Sequence, residues 1–408
     1  MPYYRRNLIV LWLTTFLASA SWTQVVPFLP LYLQELGVPA ENLAQWSGAV
    51  FSVQFAAGIL MAPIWGKIAD TKGRKLMTIR AGLCLSAIYF LTGAATSPWH
   101  VLVLRFLNGA LTGFIPSSMS LVATNTPQHL AARYVAYMQI ASAAGNVAGP
   151  VIGGVLASLV GIRGALNLSG ANVLFSTILV ILIVQERHKV SGAARSTILE
   201  DFATAVKSPA LVRVVWITVL AMIGSVSIQP ILVVYLSELV GDPERATTVS
   251  GIIFALPGLA LMLTANLWVQ QGQKRGYGKV VQTALLSAGI LGVALALSRS
   301  LVAFGFFFFL QGACLAGLRP VSSAIIADEV EEEFRGRAFG IQQAANTIGG
   351  LTGPMIAGFV SSRWGAPAVF AVIGGFLALG ALYVRLQEQA AKQRREVTAG
   401  GKERKTSA

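Results

Sequence analysis

Long apolar stretches, separated by short polar ones, fill the chain from its first residues to about position 386. A run of about 20 apolar residues, wound as a helix, matches the roughly 30 Å hydrocarbon core of a bilayer. Twelve such runs can be drawn: 8–33, 44–66, 76–95, 100–124, 136–160, 164–185, 211–237, 247–270, 280–297, 301–327, 337–361 and 366–386. Barrel strands would alternate in polarity, and these runs do not, so the pattern predicts membrane-spanning helices. The start, MPYYRRN followed by LIVLWLTTFL and ASA, has the shape of a signal peptide. Its apolar run nevertheless continues past Ala20 to Leu36, which reads as a retained first span.

The pattern repeats. VPFLPLYLQEL (26–36) and QPILVVYLSEL (229–239) share proline, tyrosine, leucine and glutamate at an offset of 203 residues. Trp65 with Trp268, Gly73 with Gly276 and Gly109 with Gly312 keep that offset. It becomes 204 for Pro116 with Pro320, Arg133 with Arg337, Gln139 with Gln343, and Gly149-Pro150 with Gly353-Pro354. One register held across five pairs of spans indicates a parallel duplication of a six-span unit, an arrangement that places substrate near the midplane where the halves meet. The expected domains are an N-terminal six-helix bundle (1–185), a polar linker (186–210), a C-terminal six-helix bundle (211–386) and a charged, disordered tail (387–408).

Composition agrees with the pattern. The chain is 55% hydrophobic and 12% charged, against about 25% charged in soluble domains. Its mean hydropathy is +0.66. The net charge of +14 would suit nucleic acid if the basic residues formed a face, but they sit in connections and the tail. The termini and the even-numbered connections hold 22 Lys and Arg, and the odd-numbered ones hold four. The positive-inside rule then puts both termini in the cytoplasm. Cys84 and Cys314 lie in apolar runs and read as small hydrophobes. His100, His129 and His188 lack metal-ligand spacing, and no G-x-x-x-x-G-K-[ST] loop is present, so no metal, ATP or other cofactor is expected.

The connection GKIADTKGRK (66–75) holds Gly66, Asp70, Gly73, Arg74 and Lys75. As chemistry alone it is a basic topology loop with one acid able to cap a helix or pair with a base. It also resembles the signature loop between helices two and three of the major facilitator superfamily, roughly G-x-L-A-D-R-x-G-R-K. Thr71 replaces the pattern's arginine. The resemblance implies that Asp70 docks near Arg335 and Arg337 and stabilises the outward-open state. The second copy, WVQQGQKRGYGK (268–279), has Gln273 and Tyr277 where Asp70 and Arg74 stand in the first. Asn125 stands where the family tends to place an acid at the inner end of helix four.

In span four, VLRFLNGALTG (103–113) resembles the family's helix-four pattern R-x-x-Q-G, with Asn108 for glutamine. Arg105 is either a snorkelling span-end cation or, as the resemblance implies, a proton-coupling residue. In span five, AGNVAGPVIGG (144–154) puts four glycines and a proline inside an apolar run. In lipid such a helix survives and its glycines become a contact stripe. Gly145, Gly149, Pro150, Gly153 and Gly154 resemble the antiporter motif G-x-x-x-G-P-x-x-G-G, and GGLTGPMIAG (349–358) echoes them. Two such seams at symmetric positions suit a rocking of one half against the other.

Arg319 is the deepest cation, about 12 Å from the inner end of span ten. It either pairs with Asp328 or Glu329 or faces a cavity as a substrate or coupling residue. Gln24, Gln54, Gln139, Asn146, Gln229, Gln343 and Asn346 mark an expected central pocket. No acidic residue lies deep in a span, so a proton-carrying role falls on Asp70, Asp328, or Glu35 with Glu238. The run DEVEEE (328–333) reads as a solvated loop able to pair with the basic 67–75 connection.

Taken together, the chain resembles the twelve-helix drug:proton antiporter branch of that superfamily. The resemblance implies an all-α integral membrane protein of two pseudo-symmetric six-helix bundles in a bacterial inner membrane. It implies export of drugs or other small amphipathic compounds, driven by a proton gradient, by a monomer among membrane lipids, without nucleic acid and without catalysis. A specific metabolite or sugar exporter of the same fold is the alternative within transport. A non-transporting receptor or scaffold is the alternative outside it.

Overall fold

The computed structural model describes residues 2–187, 208–241, 243–331 and 334–406, and among them every regular element is a helix. Ten helical stretches are long and apolar enough to cross a membrane. One of these, Gln128–Ile183, is two spans joined at Gly161, whose φ of 71° breaks the helix. The helix Arg335–Trp364 completes twelve: its 30 residues suffice to cross, but its glycines, glutamines and asparagine dilute its apolarity.

Spans one, four, seven and ten are each interrupted near the middle. Span one breaks at the Val26–Phe28 turn containing Pro27, and span seven between Pro209–Val226 and Gln229–Val240. Span four breaks at Thr112 and Gly113, and span ten at Gly317. The prolines at Pro27 and Pro230 remove a backbone donor where each helix turns. Such irregular backbone is tolerated at membrane depth only where protein or a cavity surrounds it.

The duplication is written into the hydrogen bonds. Trp65 Nε1 donates to the Ala110 carbonyl at 2.6 Å, and Trp268 Nε1 to that of Ala313 at 2.7 Å. Tyr32 Oη donates to the Ala95 carbonyl at 3.3 Å and Tyr235 Oη to that of Ser298 at 2.9 Å. Left-handed glycines recur as well: Gly37 with Gly241, Gly73 with Gly276, and Gly161 with Gly365. Each ends a helix, where only glycine adopts the backbone freely.

Two expectations are corrected. The 67–75 connection is mostly helix: span two runs Ala40–Lys72, and span three begins at Arg74 after Gly73 alone. A single residue at φ 97° makes the turn. The last helix runs Ala366–Thr406, past the expected end of span twelve at residue 386. Its Gln, Glu, Ala, Lys and Arg residues are strong helix formers. Most of the 186–210 linker lies outside the described residues. Cys84 and Cys314 are half-buried and unpaired.

Candidate functional site

The glycine motif of span five has two faces. A Cβ on Gly145 would lie 2.4 Å from the Phe16 carbonyl oxygen, one on Gly149 2.5 Å from that of Ala20, and one on Gly153 2.3 Å from that of Gln24. Span one therefore lies backbone-to-backbone in the groove these glycines make. This seam lies inside one bundle. The other face meets the opposite half. A Cβ on Gly251 of span eight would lie 2.5 Å from the Pro150 carbonyl oxygen and 3.4 Å from Gly154 Cα. Span eleven does the same. Gly349 and Gly353 pack on span seven, whereas a Cβ on Gly48 of span two would lie 2.5 Å from the Pro354 carbonyl oxygen and 3.1 Å from Gly358 Cα. Gly48 and Gly251 are themselves repeat partners, 203 residues apart.

These crossings lie toward the face opposite the termini, where Gln45 Nε2 also donates to Ser362 Oγ at 3.1 Å. Toward the terminus-bearing face the halves separate. Span two buries Leu43, Ser47, Gly48, Val50, Phe51 and Ala57, but nothing described from Gly58 to Lys72. Span eight likewise buries nothing described from Leu261 to Gln271. The protein is closed on one face and open on the other.

Helical periodicity then sorts the polar residues. At 100° per residue, Gln139 and Asn146 fall between the face on span one and the face on span eight, and both are exposed. Ile140, Val151, Val155 and Leu159, on the opposite flank, are exposed and apolar, as a lipid face requires. In span eleven Gln343 is exposed and Asn346 half-buried between the faces on spans seven and two. Gln229 is half-buried at the break of span seven. These five residues and Arg319 line the interior.

Arg319 is exposed although spans seven, eight, nine and eleven surround the helix Leu318–Glu329 that carries it. The paired reading is corrected. Glu329 bonds Arg213 and Asp328 accepts from Tyr277, both in the same half. Glu332 and Glu333 lie outside the described residues.

Arg105 is 5% exposed, behind Trp22, whose ring centre lies 5.9 Å from its guanidinium carbon. Its Nη1 reaches Gln54 Oε1 at 3.5 Å, and among the described residues no carboxylate pairs with it. Gly109 allows this pairing of spans two and four, since a Cβ there would lie 1.9 Å from the Gln54 carbonyl oxygen. Arg105 and Gln54 are thus sealed from the open cavity. Gln24 does not line it either: buried, it donates Nε2 to the Ala165 carbonyl at 3.2 Å and ties span one to span six.

The signature connection holds a residue that sequence reasoning missed. Glu186 accepts from the Arg74 and Lys75 backbone N–H groups at 2.8 and 3.0 Å. A carboxylate there satisfies two orphan donors and the positive end of the span-three helix. A Cβ on Gly73 would lie 2.8 Å from Glu186 Oε2, so glycine serves both the turn and the cap. Lys75 Nζ donates to the Ile181 carbonyl at 3.0 Å. Asn125 Oδ1 accepts from the Arg187 N–H at 2.8 Å, a backbone contact in place of the expected acid. Gly66 is half-buried near the end of span two, and the side chain of Asp70 lies outside the described residues. No sequence pattern marks Glu186; only its place as the acid after span six hints at it. Glu186→Ala is expected to cost about 1 kcal/mol, read as a lowered melting temperature in detergent. Glu186→Gln, which keeps one acceptor, should lose less.

The sequence profile of the Major Facilitator Superfamily matches residues 11–270 and 214–407. The Multidrug resistance protein MdtG of Escherichia coli O1:K1 / APEC is 32% identical over 382 residues, covering 93% of this chain and 94% of its own. The same holds for MdtG of Escherichia coli K12 / DH10B. Among solved structures, a bacterial homolog to the human lysosomal transporter Spinster, inward-facing and occupied, aligns with a TM-score of 0.78 at 16% identity, over 95% of this chain and 97% of that one. A variant of the nucleoside transporter NupG aligns with a TM-score of 0.78 at 16% identity, over 93% and 99%. Twelve spans in a duplicated six-helix plan, the signature connection and a profile match across nearly the whole length agree: the chain belongs to the Major Facilitator Superfamily.

Proposed function

We propose that this chain exports small amphipathic compounds, drugs among them, across a bacterial inner membrane with both termini in the cytoplasm. Similarity to the MdtG multidrug resistance proteins over 93% of the chain carries this reading. The geometry supports it. In this orientation the cavity opens to the cytoplasm and is sealed outside, which is the loading state of an exporter. The polar stripes of spans five and eleven flank the cavity, and the paired glycine crossings form its outer seal. The energy source is proton entry, with no cofactor and no catalytic chemistry. One chain, surrounded by lipid, forms the unit of transport.

Arg105 is the candidate coupling residue. A buried cation without a carboxylate is costly, and its cost depends on whether water reaches it. A change of state that moves Trp22 would change that access. The test uses inverted vesicles carrying a pH-sensitive dye. Wild type should release protons from the acidified interior when a substrate drug is added, and Arg105→Ala should abolish the response. Identical traces for the two proteins, with no drug-evoked proton movement, would overturn the coupling.

A further inference from the structure

Spans ten and eleven run antiparallel, and two bonds set their register: Ser323 Oγ donates to Gln342 Oε1 at 3.3 Å, while Gln342 Nε2 donates to Ser322 Oγ at 2.6 Å. One turn further from the termini on each helix stand Arg319 and Asn346, four residues away along the chain. They therefore lie level on the two helices. Both are incomplete. The Arg319 guanidinium makes no hydrogen bond, ion pair or ring contact with any described residue, although it is exposed inside the bundle. Asn346 Oδ1 is buried and has no partner. Buried polar atoms without partners are uncommon in folded proteins, and each calls for an explanation.

The charge around them has one sign. No described acidic residue lines the interior: Asp328 and Glu329 are engaged near the terminus-bearing face, and Glu35 and Glu238 are exposed at the opposite one. A lone cation in a low-dielectric wall attracts anions and repels cations. Arginine offers forked donors that match a carboxylate, phosphonate or sulfonate. Asn346 adds an acceptor beside that fork.

We propose that Arg319 and Asn346 form an anion subsite, and that the transported compounds are amphipathic anions carrying a hydrogen-bond donor close to the acidic group. The proposal rests on the efflux reading and specifies its substrate class. The anionic group would be held at the level of Asn346, short of the outer seal.

Binding tests this apart from transport. Purified full-length protein in detergent is dialysed against radiolabelled benzylpenicillin, an amphipathic carboxylate with an amide N–H, and separately against tetraphenylphosphonium, an amphipathic cation. The wild type should bind the anion at least about tenfold more tightly, the equivalent of 1.4 kcal/mol. Arg319→Gln should weaken anion binding by about tenfold or more and leave cation binding unchanged or stronger, and Arg319→Lys should restore part of the loss. Asn346→Leu should weaken the anion with the melting temperature retained. Equal or tighter binding of the cation by wild type, no binding of the anion, or full anion affinity in Arg319→Gln would overturn the subsite. If Arg319→Gln does not fold, Arg319→Lys and Asn346→Leu decide. The vesicle assay decides the efflux reading separately, because a protein can bind the anion and move no protons.

Discussion

Gly149→Val is expected to leave almost no folded transporter. Its Cβ would lie 2.1 Å from Thr23 Oγ1 and 2.5 Å from the Ala20 carbonyl oxygen, far inside normal contact at about 3.5–4.0 Å. Thr23 can rotate away, but the Ala20 carbonyl is backbone and cannot. Span one would have to move off span five along its length, which would also break the Ser19–Ser142 bond at 3.0 Å. Overpacking a core costs about 1–3 kcal/mol even where side chains can adjust. Here a helix must shift, and the cost is at the top of that range or above. The check is the monodisperse peak in size-exclusion chromatography after detergent extraction. A wild-type yield would show that spans one and five are not packed backbone-to-backbone.

The paired substitution Gly48→Val with Gly251→Val is expected to do the opposite, preserving the fold and abolishing transport. Both glycines touch only the other half at close range, through the Pro354 and Pro150 carbonyl oxygens. Each bundle keeps its own packing, so extraction yield should stay near wild type. What is lost is the seal. Two sites at about 1–3 kcal/mol each are enough to move a two-state equilibrium by about tenfold or more. A cysteine at Gln139→Cys reports the shift. In the parent protein a membrane-impermeant maleimide should label it from the terminus-bearing side. In the double variant labelling should appear from the opposite side, and transport should fall below detection. Unchanged sidedness with transport retained would mean that the glycine crossings do not close the outer gate.

Glycine at positions 145, 149 and 153 reads as a contact stripe from spacing alone, because four residues return a helix almost to the same face. Gly154 and Pro150 lie well round the helix from that stripe, which spacing also says. Which neighbour each face meets is not in the spacing. It depends on packing between segments more than 100 residues apart in sequence. Gln24 and Gln139 looked alike as glutamines in apolar runs, yet one ties span one to the Ala165 carbonyl and the other lines the cavity. A polar side chain in lipid needs a partner, and the chain offers it either a carbonyl or water. Glu186 was illegible because the two amides it caps sit 111 and 112 residues away.

The amino-acid sequence by itself determined that this protein spans a membrane twelve times as two copies of one six-helix unit. Hydrocarbon thickness sets the length of an apolar run, and a duplication leaves residues in register; both are properties of order along the chain. The tertiary structure decided which faces of the glycine helices hold a bundle together and which form the gate. It also decided that Arg319 has no partner among the described residues while Arg105 is sealed, and that the cavity opens on the terminus-bearing side. Each of these turns on the approach of helices distant in sequence, where an ångström between a carbonyl oxygen and a missing Cβ separates a fixed seam from one that can part.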